Sequence, residues 1–162
     1  MRTVYTTHPS PLGELLLTGD GHALASVTVP GQRGRGVVQP LPEWTHDQRA
    51  FAAAREQLDA YFAGDLTAFQ LELHAPAPEF TRRVWEALDA LDYGETVSYR
   101  DLATRAGATP GAVRAVGGAV GANPLLIVRP CHRVIGASGA LTGYAGGLDR
   151  KRRLLELEGV PC

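Results

Sequence analysis

The sequence predicts an α/β protein whose first half carries a small antiparallel sheet and whose second half is mainly helical. Three observations predict it. Short runs of alternating apolar and polar residues fill the first thirty positions, apolar residues recur at helical spacing from position 47 onward, and two short helical patterns flank Gly107-Ala108 at helix-turn-helix spacing. The chain has 162 residues, enough for one domain or for a small domain sharing a core with a larger one.

Residues 4–6, 15–17 and 23–29 read as strands of a meander, turned at Pro11-Leu12-Gly13 and Gly19-Asp20-Gly21. Residues 31–42 hold Gly31, Gly34, Gly36, Pro40 and Pro42 without an apolar period, which predicts a surface loop. Phe51, Ala54, Leu58, Tyr61 and Phe62 predict a helix over residues 47–62, stopped by Gly64. Residues 66–74 read as one more strand. Residues 75–78 form a boundary, which divides the chain into domains 1–76 and 77–162.

In the second half, Phe80, Val84, Leu88 and Leu91 mark a helix ending near Gly94. Ser98 can cap the next one, with Asp101 three positions on and Val97 placed to pack on Leu102; its inner face is Tyr99, Leu102, Ala103 and Ala106. Thr109 is the expected cap of the following helix, and Pro110 sits in its first turn, where a missing N–H is harmless. Val113, Val116 and Val120 form its core stripe. Arg114 lies on the other side, one turn before Gly118, so small residues and one long cation face outward and the helix can approach a groove closely.

The formal net charge of -1 divides unevenly. Residues 1–80 carry five Arg against nine acids, a balance of -4, and residues 81–162 carry ten Arg and one Lys against eight acids, a balance of +3. A phosphate-bearing partner is therefore compatible with the second half. Two cysteines, Cys131 and Cys162, make no disulfide framework, and no apolar run is long enough for a signal peptide or a membrane span. These features point to a soluble cytoplasmic protein with no membrane association.

Pro130-Cys131-His132-Arg133-Val134 is the segment that carries chemistry. A thiol attacks as its thiolate, and a neighbouring base or positive charge raises the thiolate fraction above the few per cent of a free cysteine. A lone cysteine is more often an inert core residue, so its surroundings must supply the function.

Taken in order, Gly94-Glu95-Thr96-Val97-Ser98-Tyr99, Arg114-Ala115-Val116-Gly117, Asn123-Pro124, Pro130-Cys131-His132-Arg133-Val134, Gly143-Tyr144-Ala145-Gly146-Gly147 and Leu154-Leu155-Glu156-Leu157-Glu158-Gly159 resemble the O6-alkylguanine-DNA alkyltransferases. The ordered match covers about residues 80–159. The first half resembles the family only in size and element order. The resemblance implies a ribonuclease-H-like first domain and a winged-helix-like second domain containing the helix-turn-helix. It also implies direct repair of O6-alkylguanine in duplex DNA, by irreversible single-turnover transfer of the alkyl group to Cys131.

By resemblance, His132 is the base acting on Cys131 through a water, and Glu158 orients and charges the imidazole. Tyr99 and Arg114 handle the DNA: Tyr99 crowds the phosphate of the target nucleotide, and Arg114, entering from the minor groove, fills the gap left by the turned-out base. Asn123 is the hinge that ties the turn after the second helix to the cysteine strand. Val134, Gly143, Tyr144, Ala145, Gly146 and Lys151 belong to the alkylguanine pocket; Ala145 stands where several relatives carry a hydroxyl residue, and Lys151 braces the active-site loop. Arg129, Arg133, Arg150, Lys151, Arg152 and Arg153 are candidate phosphate contacts, with a solvated face as the plainer reading of such a run.

The resemblance implies no cofactor and no metal. Some relatives hold a structural zinc through two cysteines and two histidines, and this chain has no cysteine before Cys131. The implied partner is double-stranded DNA containing O6-alkylguanine, with O4-alkylthymine as a further candidate lesion. The protein is expected to be a monomer in solution, with several copies side by side on DNA as an open arrangement. A phosphate-binding loop at residues 138–147 is disfavoured because no Gly-Lys-Ser/Thr follows. Two other readings stay open: a cysteine hydrolase, which needs turnover and an oxyanion site, and a lesion sensor, which binds alkylated DNA without transferring a group.

Overall fold

The computed structural model describes residues 2–34 and 36–162. Its first half is built on strands β1 (Val4–Ser10), β2 (Gly13–Gly19) and β3 (Leu24–Thr28), paired antiparallel as the alternation predicts. A fourth short strand, β4 (Thr45–His46), pairs parallel with β1, so the sheet order is β3-β2-β1-β4. Nothing in the two residues of β4 marks them as a strand. Asp47 remains tied to β1 by donating its N–H to the Tyr5 carbonyl at 3.0 Å.

That tie explains why the following helix starts late. α1 spans Ala52–Phe62 rather than 47–62, because residues 47–50 form a turn in which the Asp47 side chain accepts from Arg49 N and the Asp47 carbonyl accepts from Ala50 N. Ala54, Leu58 and Tyr61 face inward as their spacing requires, onto a core that includes Leu15, Leu17 and Val27 of the sheet. Residues 66–74 are not a strand. The Gln57 side chain satisfies both the N–H and the carbonyl of Gln70, and only Leu73 forms a bridge, with Leu24 at the edge of β3.

The second half contains α2 (Glu79–Asp89), α3 (Tyr99–Arg105), α4 (Val113–Gly121) and α5 (Leu148–Leu157). Ser98 caps α3 through Asp101 N at 3.0 Å, as predicted. Thr109 makes no side-chain cap; a short 3-10 turn, Pro110–Ala112, intervenes, closed by Ala112 N on the Thr109 carbonyl. Leu102, Ala103 and Ala106 are buried with Val116, Ala119 and Val120, while Tyr99 and Val113 are only half-buried. The Trp85 indole donates to the Ala119 carbonyl at 2.9 Å and so locks α2 against α4.

Two features position the chemistry. β5 (Val97–Ser98) pairs parallel with β6 (Val134–Ile135), which brings the start of α3 beside the Cys131 segment. The free edge of β3 reaches across to the second half, with Val27 N donating to the Pro124 carbonyl and Leu126 N to the Val27 carbonyl. Among the described residues no helix is long and apolar enough to cross a membrane.

Candidate active site

Asn123 ends α4's turn and is fully buried. Its Oδ1 accepts from Leu125 N at 3.0 Å, and its Nδ2 donates to the Arg129 carbonyl at 3.2 Å and the Leu125 carbonyl at 3.4 Å. The side chain thus fastens both ends of the segment leading to Cys131. Within that segment Ile127 has φ 74°, strained for a β-branched residue, and the Val128 N–H closes a tight turn on the Leu126 carbonyl. Residues Cys131–Arg133 then form one turn of 3-10 helix running straight into β6.

All three residues of that turn are buried. His132 Nε2 lies 2.7 Å from Glu158 Oε2. Arg133 donates through Nε to Glu158 Oε1 at 2.8 Å, through Nη2 to Oε2 at 3.0 Å, and through Nη1 to the Leu91 carbonyl. Gly94 N donates to Oε1 and the Tyr61 hydroxyl to Oε2. Burial alone would raise the Glu158 pKa, but the hydrogen bonds from His132 and Arg133 outweigh it and hold the carboxyl well below its usual range. Glu158 is therefore ionised and Nε2 carries the proton, which leaves Nδ1 as the acceptor; that atom is buried without a partner among the described residues.

Burial pushes the Cys131 thiol up, and the Asn123 amide and the Lys151 ammonium offset only part of this. The resting group is a thiol, so reaction needs a base more than it needs nearby positive charge. Burial also lowers the His132 pKa, against the pull of Glu158, which keeps the imidazole neutral and able to accept.

Cys131 lines a cavity of about 280 Å³ together with Tyr99, Gly117, Val120 and Gly121 on one side and Gly143, Tyr144 and Ala145 on the other. Arg114 is exposed and does not itself line the cavity, although Gly117 and Gly121, at i+3 and i+7 on the same helix, do. Val134, Gly146 and Lys151 do not line the cavity. Lys151 is wholly buried and donates to the carbonyls of Val134, Thr142 and Gly143, bracing the loop from behind with its pKa pushed down by burial to about 8. Gly146 admits the Tyr144 ring, which would lie 2.7 Å from a Cβ there.

Several expectations are corrected. Arg133 and Arg129 are not available to phosphates: Arg133 is bound to Glu158, and Arg129 is bound to Asp89 at 3.0 Å with its guanidinium over Trp85. Arg150 is turned onto the carbonyls of Leu12 and Gly146, whereas Arg152 and Arg153 are exposed. Arg33, Gly34 and Gly36 also belong to the site. Arg33 and Gly34 line the cavity, Arg33 N donates to the Ala145 carbonyl at 2.9 Å, and a Cβ at Gly36 would lie 2.5 Å from the Asn123 carbonyl oxygen. Sequence spacing also left out Tyr61 and Gly94, whose contacts with Glu158 join positions 97 and 64 residues apart. The described residues contain no group of three or more His, Cys, Asp or Glu that could hold a metal ion.

Comparison with known proteins places this geometry in a family. Residues 3–75 match the family model for the 6-O-methylguanine DNA methyltransferase, ribonuclease-like domain, and residues 79–160 match that for the 6-O-methylguanine DNA methyltransferase, DNA binding domain. A methylated-DNA-protein-cysteine methyltransferase of Mycolicibacterium paratuberculosis is 55% identical over 155 residues, covering 95% of this chain and 91% of that protein. One from Methanosarcina acetivorans is 45% identical, covering 96% and 97%. The crystal structure of Mycobacterium tuberculosis OGT in complex with DNA superposes with a TM-score of 0.88 at 52% identity, covering 96% of this chain and 92% of that one. The fold is thus a ribonuclease-like sheet domain joined to a helical domain with a helix-turn-helix. The chain belongs to the 6-O-methylguanine DNA methyltransferase family, whose chemistry is direct DNA repair by transfer of an alkyl group to a cysteine of the protein itself.

Proposed function

We propose that Cys131 is the alkyl acceptor and that duplex DNA carrying O6-alkylguanine is the substrate. One observation carries this: Cys131 opens onto a cavity walled by the helix-turn-helix, and the next residue is a histidine held by a buried, ionised glutamate. His132 Nδ1 takes the thiol proton through a water. The Cys131 sulfur attacks the alkyl carbon in line, an S–C bond forms as the C–O6 bond breaks, and the proton taken from the thiol is balanced by the one the departing guanine gains. Glu158 stabilises the transient imidazolium. The product is a thioether, which has no route back to a thiol in this site, so each molecule reacts once.

The base must leave the stack for its O6 to reach Cys131. Tyr99 borders the same cavity as Cys131 and meets the turned-out nucleotide, while Arg114 takes the place left in the duplex from the minor-groove side. Gly143, Tyr144 and Ala145 contact the base, Val134, Gly146 and Lys151 support that wall, and Asn123 acts as the hinge. The two family models meet between residues 75 and 79, which supports a division into domains 1–76 and 77–162. O4-alkylthymine as a second lesion, and a monomer that lines up in several copies along DNA, rest on the family resemblance. The free thiols of Cys131 and Cys162 support a reducing, cytoplasmic setting.

The test is intact-protein mass spectrometry after incubation with excess duplex containing O6-methylguanine, with peptide mapping. One added methyl group on Cys131 is expected, and none in Cys131→Ala, which should still bind the duplex. A methyl group gained by Cys131→Ala removes Cys131 as acceptor. Tight binding by the unsubstituted protein without any mass change would instead favour a lesion sensor.

A further inference from the structure

We infer that Tyr61 is a positioning residue of the transfer reaction: its hydroxyl donates to the Glu158 oxygen that holds His132, so the first half of the chain helps to orient and tune the catalytic base. This rests on the reading of Cys131, His132 and Glu158 given above.

Tyr61 lies in the last turn of α1, is fully buried, and is clasped by Phe62, Phe69 and Tyr93 at ring-centroid distances of 5.3, 5.3 and 6.2 Å. A buried phenol needs a partner, and any main-chain carbonyl would serve for stability. Tyr93, in the same aromatic cluster, does use one, donating to the Leu157 carbonyl at 3.1 Å. Tyr61 donates to a carboxylate oxygen instead.

The choice of oxygen matters. Oε2 receives Tyr61, His132 Nε2 and Arg133 Nη2, while Oε1 receives Gly94 N and Arg133 Nε. Donors on both oxygens prevent the carboxylate from turning, so the imidazole is aimed and its tautomer set. The Tyr61 hydroxyl also draws charge from Oε2, and a less basic carboxylate holds an imidazolium less strongly. Burial lowers the proton affinity of His132, Glu158 raises it, and Arg133 and Lys151 lower it further, with Cys131 beside it as a neutral thiol at rest. Removing the phenol tips this balance toward protonation. A protonated His132 cannot take the thiol proton, so the acid limb of the rate profile moves to higher pH.

The experiment measures single-turnover transfer against pH for the full-length protein and for Tyr61→Phe and Tyr93→Phe, on O6-methylguanine duplex and on free O6-benzylguanine, with melting temperatures alongside. Tyr61→Phe is expected to slow both substrates by about tenfold near neutral pH, a fraction of the ~10²–10⁴ that a positioned base contributes. Its acid limb should move to higher pH while duplex affinity holds. Tyr93→Phe should lower the melting temperature without moving the limb. A Tyr61→Phe limb and rate matching the unsubstituted protein would overturn the inference, as would an identical response in Tyr93→Phe, which would mean lost packing alone. In the unsubstituted protein the Tyr61 hydroxyl proton should be protected from exchange in NMR spectra; rapid exchange overturns the inference without any substitution. Cys131→Ala run in parallel keeps the outcomes separate, because a methyl group gained there defeats the underlying reading and leaves the Tyr61 comparison as measured.

Discussion

A guanidinium two residues from a reactive thiol can face a phosphate or a carboxylate, and the consequences of removing it differ. Arg133 faces Glu158 with two nitrogens and the Leu91 carbonyl with a third, all buried. Taking away one partner of such a pair leaves a buried charge under-compensated, which typically destabilises by about 3–5 kcal/mol. Arg133→Met is therefore expected to lose stability of that order in urea unfolding. An unchanged urea midpoint with weakened DNA binding would return Arg133 to the role of a phosphate contact. Nothing in the local sequence distinguishes the two fates, because Glu158 lies 25 residues further on. The adjacency of Cys131 and His132, by contrast, is legible directly.

At the scale of elements, α4 shows how a helix of small residues leaves room for a cavity. Gly117 and Gly121 line the cavity, and a Cβ at Gly121 would meet nothing within 4 Å. A larger side chain there extends into the cavity without disturbing the fold. Gly121→Leu is expected to retain its melting temperature, to react more slowly with O6-benzylguanine by about tenfold or more, and to lose less with O6-methylguanine duplex, since rejecting bulk in a pocket is worth about 1–3 kcal/mol. Equal loss on the two substrates would show that this face meets DNA and not the alkyl group. Helix periodicity was enough to place Val116 and Val120 in the core and Arg114 outside. It could not reveal that Gly36 lies against the Asn123 backbone, a contact close enough that only a glycine fits without movement.

For the whole molecule, the buried His132–Glu158 pair ties stability to pH. Burial, only partly offset by Glu158, lowers the His132 pKa in the folded state, so below the unfolded value of about 6.5 the unfolded chain binds a proton that the native state refuses. The Glu158 pKa is also depressed, since its hydrogen bonds outweigh burial, and its contribution is lost as pH falls below the unfolded value of about 4.3. Both effects have the same sign. The urea midpoint should be level above pH 7, decline below it through His132, and keep declining below about pH 4.3 through Glu158; a midpoint that stays level down to pH 4 would mean that His132 is not coupled to folding.

Local patterns determined much of this protein. Alternation specified β1 to β3, three-to-four spacing specified α2 and α3, the Ser98 cap followed from its neighbours, and the order of short motifs carries the family resemblance. These signals are readable because each depends on residues within a few positions of one another. Only the tertiary structure decided which cations are free, that Arg33 and Gly34 reach the cavity, that Gln57 takes the place of a sheet partner for Gln70, and that Tyr61 and Arg133 share one carboxylate with His132. Those outcomes are set by burial: a charged or hydroxyl group removed from water must find its complement wherever the fold brings one, and that partner leaves no mark at its own place in the chain.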